Sequence, residues 1–263
     1  LEYSNDGKYI VTAGEDNMAK LWDASTGREL RVFKGHKLFV NFAYALPEKN
    51  ILVTGSLDGY AIVWNFKTGE IIKRFDPPLD PMEYPVDNDV ATGDLSNDGR
   101  YLAVGHLGGY VFVYDLETGE KFDKIPTSSY RVNFVRFTPD SKNLLVATGG
   151  AVNDKGGSLV RYDFRTGEII KRYRTPKEEF YSLTLDQQMK YIALSTAGGN
   201  IEVLKLDGGV VKQFNWEGNY FTPCEKLYFS PDGTELYAFS TSEDYVNVYS
   251  TSNFKKLRSI KFP

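Results

Sequence analysis

One short phrase keeps returning along this chain. AKLWDASTGREL (19–30) comes back as AIVWNFKTGEII (61–72), VFVYDLETGEKF (111–122) and LVRYDFRTGEII (159–170). A worn copy, IEVLKLDGGVV (201–211), follows, and VNVYSTSNFKKL (246–257) closes the series. Aligned on Trp22, Trp64, Tyr114, Tyr162, Leu204 and Tyr249, the copies are spaced by 42, 50, 48, 42 and 45 residues. A fixed period of this size means one small unit built repeatedly against its own copies, as in solenoids, propellers and arrays.

Each copy reads as four short strands. In the second, FVNFAYAL (39–46) is followed by a turn at Pro47 to Asn50 and then by ILVTGS (51–56). Leu57, Asp58 and Gly59 end that strand, YAIVWNF (60–66) makes the next, and Lys67-Thr68-Gly69 turns into EIIKRF (70–75). Short β-rich runs cut by Asp, Gly, Asn and Pro are the hairpin pattern. Asn5-Asp6-Gly7, Asn97-Asp98-Gly99 and Pro231-Asp232-Gly233 mark one hairpin, and the Thr-Gly pairs at 26, 68, 118 and 166 mark another. Both need a residue at positive φ, which glycine adopts without a Cβ clash.

The fourth strand of each copy carries the charge, as in Arg28, Arg31 and Lys34 or Lys171, Arg172 and Arg174. An outer edge facing water is expected to look so, because charge discourages edge-to-edge pairing. No helical periodicity of useful length interrupts the pattern, which excludes α/β architectures. The expectation is an all-β propeller of four-stranded antiparallel blades, six in this chain. As a single domain over 1–263, its blades fall near 1–36, 37–76, 77–129, 130–178, 179–219 and 220–263.

Particular residues carry a family resemblance. Trp22-Asp23 is the dipeptide that names the WD40 family, and Trp64-Asn65, Tyr114-Asp115 and Tyr162-Asp163 are its usual drifts. Gly35-His36 resembles the family's Gly-His pair ahead of a blade. The resemblance implies that His36, Asp58, Trp64 and Thr54 or Ser56 form a hydrogen-bonded tetrad within the second copy. A buried imidazole, carboxylate and indole N–H each need a partner. Asp16 and Trp22 survive from this set in the first copy, whereas the third to sixth lack the Gly-His pair. LEYS (1–4) aligns with the end of the first strand in other copies, such as KLYFS (226–230), and the resemblance puts the first copy's Gly-His position upstream of Leu1, so residues missing before Leu1 are expected: a few, a seventh blade or another domain.

Bulk properties narrow the function classes. Net charge is −4, and the basic runs at Lys171, Arg172, Arg174 and Lys255, Lys256, Arg258 are short. Direct nucleic-acid binding, which usually shows a basic field, is not expected. No stretch approaches the roughly 20 apolar residues of a membrane helix. The one cysteine, Cys224, cannot form an internal disulfide. That points first to a cytoplasmic compartment and leaves export open.

Loops carry function on rigid scaffolds. In the family's topology the loops joining strand four to the next blade and strand two to strand three share one face. Leu57 and Leu107 stand at two such tips where polar residues are expected, with Tyr60 and Tyr110 just beyond. An apolar patch with an aromatic rim is the composition of interface anchors. The alternative is that they tuck between blades. His106 precedes Leu107, and Glu15 and Glu243 occupy corresponding turns as acidic flanks. Two longer insertions reach the same face. They are DPPLDPMEYPVDNDVATGD (76–94), with six acidic residues and four prolines, and GGAVNDKGG (149–157). A calcium site on Asp87, Asn88 and Asp89 would suit a hard cation, but the spacing fits no known loop, and a solvated linker is the plainer expectation.

Catalytic constellations are scarce. There are two histidines, His36 and His106, and the first is explained structurally. Cys224 has no metal-ligand spacing to either. GHLGGYVF (105–112) has glycines but no helix after them to cradle phosphate. No catalytic residue, cofactor or metal is therefore expected. The resemblance implies a non-enzymatic scaffold for other proteins, part of a larger assembly. Recognition of a basic or modified peptide is the alternative, and a propeller hydrolase or dehydrogenase is a more distant one.

Overall fold

The computed structural model describes residues 1–4, 6–76, 89–122, 125–127, 131–149, 157–173, 179–216 and 224–262. Its strands form six four-stranded antiparallel sheets, the blades of a β-propeller. The first blade is β1 (Glu2–Tyr3), β2 (Tyr9–Ala13), β3 (Met18–Asp23) and β4 (Glu29–Lys34). The second is β5 (Val40–Leu46), β6 (Ile51–Ser56), β7 (Ala61–Asn65) and β8 (Ile71–Phe75). The third is β9 (Val90–Leu95), β10 (Tyr101–His106), β11 (Tyr110–Asp115) and a short β12 (Ile125–Pro126). The fourth is β13 (Val132–Phe137), β14 (Asn143–Thr148), β15 (Ser158–Asp163) and β16 (Ile169–Tyr173). The fifth is β17 (Phe180–Leu185), β18 (Tyr191–Thr196), β19 (Asn200–Lys205) and β20 (Val210–Asn215). The sixth is β21 (Lys226–Phe229), β22 (Glu235–Phe239), β23 (Tyr245–Ser250) and β24 (Lys256–Lys261).

The recurring phrase is the hairpin from third to fourth strand. Asp23 Oδ1 accepts the N–H groups of Ser25 and Thr26 at 3.0 and 2.9 Å, and Gly27, at φ 69°, donates its N–H to the Asp23 carbonyl at 2.8 Å. Asn65, Asp115 and Asp163 make the same side-chain turn in the next three blades. The short acceptor side chain replaces missing ladder bonds, which is why Asp or Asn follows the aromatic anchor there.

The chain divides into two compact units, 1–95 with 99–126 and 96–98 with 127–263. In the first unit, Val11, Leu21 and Phe33 of the first blade pack on Ala43, Leu52, Ile62 and Trp64 of the second. The second blade's other side packs on the third through Phe42, Val53, Val63, Leu102, Val104 and Phe112. In the second unit, Leu145 and Leu159 meet Leu183, Ile192 and Leu204. Ala193, Ile201 and Val203 meet Leu227, Leu236 and Tyr249. Inner strands are apolar on both faces because both faces are covered. Outer strands are exposed, β24 along its whole length.

One expectation is corrected here. The segment 76–94 is not loop to its end, because β9 starts at Val90 and pairs with β10. Gly93 sits in a strand against the ring of Phe42, as does Gly55, and a Cβ at either position would overlap that ring. Residues 77–88 and 150–156 lie outside the described residues, and with them most of the candidate calcium site and of the second insertion.

Candidate functional site

The second blade contains a continuous polar chain. His36 Nδ1 lies 3.0 and 3.1 Å from the two Asp58 oxygens, and His36 Nε2 lies 2.7 Å from Thr54 Oγ1. Trp64 Nε1–H donates to that same hydroxyl at 2.8 Å. An ionised carboxylate only accepts, so Nδ1 carries the proton and Nε2 accepts from Thr54, leaving every donor with an acceptor. Ser56, the sequence's other candidate for this hydroxyl, donates to the Leu38 carbonyl at 2.9 Å instead. Burial alone would raise the Asp58 carboxyl. The His36 hydrogen bond, the Lys37 and Tyr60 N–H groups and the nearby imidazole outweigh it and hold Asp58 below the ordinary carboxylate range. In the first blade Trp22 donates to Thr12 at 3.0 Å, while Asp16 takes Lys20 at 2.7 Å.

This chain of bonds pins a loop. Lys37 N–H donates to Asp58 at 2.8 Å, and Leu57 N–H donates to the Phe39 carbonyl at 2.9 Å. On the loop's other side Val40 N–H reaches the Gly14 carbonyl at 3.1 Å, and Asn17 reaches the Lys37 carbonyl at 3.2 Å. The result holds Leu38 and Phe39, 48% and 43% exposed, between the turn bearing Glu15 and the turn bearing Leu57. Glu15 is exposed, and Leu57 and Tyr60 are half-buried. Leu107, also half-buried, occupies the matching turn of the third blade, its N–H on the Asp89 carbonyl at 3.0 Å. Sequence reasoning missed Leu38 and Phe39. The signal was two adjacent large apolar residues directly after a Gly-His pair and a lysine, before the strand begins.

Two candidates are corrected. His106 and Tyr110 are buried, 1% and 4% exposed, and cannot be surface anchors where they stand. His106 ends one strand and Tyr110 opens the next. Their rings stack with centroids 4.8 Å apart, and both meet Phe112 edge-on. Glu243 is half-buried in the turn between β22 and β23 of the second unit. Among the described residues, no group of three or more His, Cys, Asp and Glu is placed to hold a metal ion. The Cys224 thiol is buried, and burial pushes it up to about 12, so it holds its proton at neutral pH. No helix among the described residues is long and apolar enough to cross a membrane.

A Trp–Thr–His–Asp chain ties the strands of one blade and is half preserved in its neighbour, the pattern of WD40 repeats, in two of the six four-stranded sheets. Comparison with known proteins agrees: the model of the WD domain, G-beta repeat, matches residues 1–23 and 27–65. The chain is 23% identical to eukaryotic translation initiation factor 3 subunit I of Emericella nidulans, over 95% of this chain and 90% of that protein. The subunit I of Aspergillus niger is likewise 23% identical over 95% of this chain and 90% of its own length. A shorter match, 35% identical, covers 29% of this chain and 10% of the probable coatomer subunit beta' of Schizosaccharomyces pombe.

Proposed function

We propose that the chain is a non-catalytic scaffold subunit that holds other proteins through the face bearing Leu38, Phe39 and Leu57. The observation that carries this reading is the pinned loop. Two large apolar side chains are kept in water by a buried hydrogen-bond network beneath them. Solvent-held apolar groups on a rigid frame bind a partner without refolding, so little ordering entropy opposes association. The names of the relatives add to it, since each is a subunit of an assembly. Glu15 supplies a charged rim beside the apolar centre, the usual arrangement of an interface.

The test is partner capture from cells with the parent chain and with Phe39→Asp and Leu57→Asp, each checked by circular dichroism. A charge at the centre of a hot spot costs at least about 2 kcal/mol, roughly thirtyfold in affinity. Partners retained by both folded variants at the parent level would remove this face from the reading.

A further inference from the structure

The repeat supplies its own control, because each position can be read against five copies of itself. The residue before the anchor is Leu21, Val63, Val113, Val203 and Val248 in five copies, all buried between sheets. In the fourth copy it is Arg161. The residue after the anchor is Asp23, Asn65, Asp115 and Asp163 in four copies, Ser250 in one, and Lys205 in the fifth copy. Both departures introduce positive charge, and both residues line one open groove of about 510 Å³ with Met189, Lys190, Tyr191, Leu206 and Asp207. The groove lies within the second unit, where the end of β15 meets the start of β18 and the turn after β19.

The fold gives these cations no carboxylate partner among the described residues. Arg100, which holds in the third blade the place of Lys190, pairs with Asp115 at 2.8 Å. In the fifth blade the matching partner is Lys205, so Lys190 faces a like charge. Among the described residues no carboxylate pairs with Arg161, Lys190 or Lys205. Arg161 spends one guanidinium N–H on the Leu206 carbonyl at 3.4 Å, already the acceptor of Tyr173 O–H at 2.8 Å. Its Nε is buried without a partner. A half-buried guanidinium normally has a carboxylate partner, because lost hydration must be replaced. Three cations around one opening, with Asp207 as the one acid among its described lining residues, have a net attraction for anions.

We propose that this groove binds an acidic peptide segment of a protein partner. Glutamate or aspartate side chains meet Arg161, Lys190 and Lys205, and an aliphatic side chain rests on Leu206 and Met189. The volume suits a short segment, since pockets of about 300–1,000 Å³ hold ligands of that size. A single-stranded nucleic acid would need free aromatic faces for base stacking. The one aromatic among its described lining residues, Tyr191, has the Lys190 ammonium 5.0 Å over its ring and Phe254 edge-on at 5.6 Å.

The inference rests on the scaffold reading, and its test is separate from it. A fluorescein-labelled peptide, Glu-Asp-Glu-Leu-Asp-Glu, is titrated against the full chain by anisotropy. The same peptide with glutamine and asparagine for its acids, and a labelled U-rich RNA of equal charge, are the other probes. The double variant Arg161→Leu with Lys205→Asp restores what the other copies hold, so it should fold, and its thermal midpoint should equal or exceed the parent's. The expected result is binding of the acidic peptide alone, weakened at least tenfold in the double variant and by raised salt. No binding by the parent, unchanged affinity in the double variant, or tighter groove-dependent binding of the RNA would each overturn the proposal. Partner capture through Phe39 and Leu57 is read independently, so either inference can fail alone.

Discussion

The second and fifth blades solve the same packing problem by opposite means. In the second, Thr54, Asp58 and Trp64 meet His36 in a polar chain. At the matching positions the fifth blade has Leu194, Gly198 and Leu204, and both leucines are fully buried. An apolar seal therefore suffices to hold a blade together. The polar chain must serve another end, and what it adds in the second blade is the grip on the loop carrying Leu38 and Phe39. Buried polar groups that specify one arrangement, without adding net stability over apolar packing, are a known compromise.

The largest effect that could break this comparison comes from the anchors. Trp64→Ala empties a fully buried indole site and is expected to cost about 3–5 kcal/mol. Leu204→Ala is expected to cost about 2–5 kcal/mol. Urea unfolding measures both. A loss near zero at Leu204 would mean that the fifth blade is held by something other than its core.

A smaller effect separates grip from stability. His36→Ala leaves Thr54 and Asp58 without their shared partner and is expected to cost about 1–3 kcal/mol. It should also loosen residues 36–39, read as faster amide exchange at Lys37 and Leu57. Acid sharpens this. The folded Asp58 carboxyl lies below its ordinary value, so proton uptake favours the unfolded chain. Its contribution is complete above about pH 4 and disappears as pH falls through the lower folded value. Below about pH 4 the parent should therefore lose stability more steeply than His36→Ala. Parallel curves would detach Asp58 from the histidine.

Much of this was legible in the sequence, and the failures share a cause. The anchors and the Asp/Asn-x-x-Thr-Gly turns are local, since type and spacing alone carry them, whereas the tetrad was expected only through the family resemblance. Gly93 was not legible as a strand residue, because the reason for it is the ring of Phe42, on a strand of the neighbouring sheet. His106 and Tyr110 looked like loop-tip residues, yet they belong to strand ends whose inward direction depends on register. Ser141 and Met189 take positive φ, at 55° and 58°, at turns where other copies have glycine. Nothing local requires it of them. What a neighbouring strand decides cannot be read from one strand.

The smallest predicted effect bears on the groove from the side of stability. Lys205→Asp alone puts a carboxylate where the third blade has Asp115, which meets Arg100 at 2.8 Å, although the fifth blade's turn is one residue shorter and uses Asp207 as its side-chain acceptor. Lys190 then gains an opposite charge in place of a like one. Exposed pairs contribute about 0–1 kcal/mol. The expected outcome is a gain of roughly 0.5–1 kcal/mol at low ionic strength, shrinking with salt because exposed charges are screened. A loss of stability would mean that Lys205 has a structural role where it stands. The fifth blade's divergence would then be a second way of closing the same hairpin, and its charge would need no ligand to account for it.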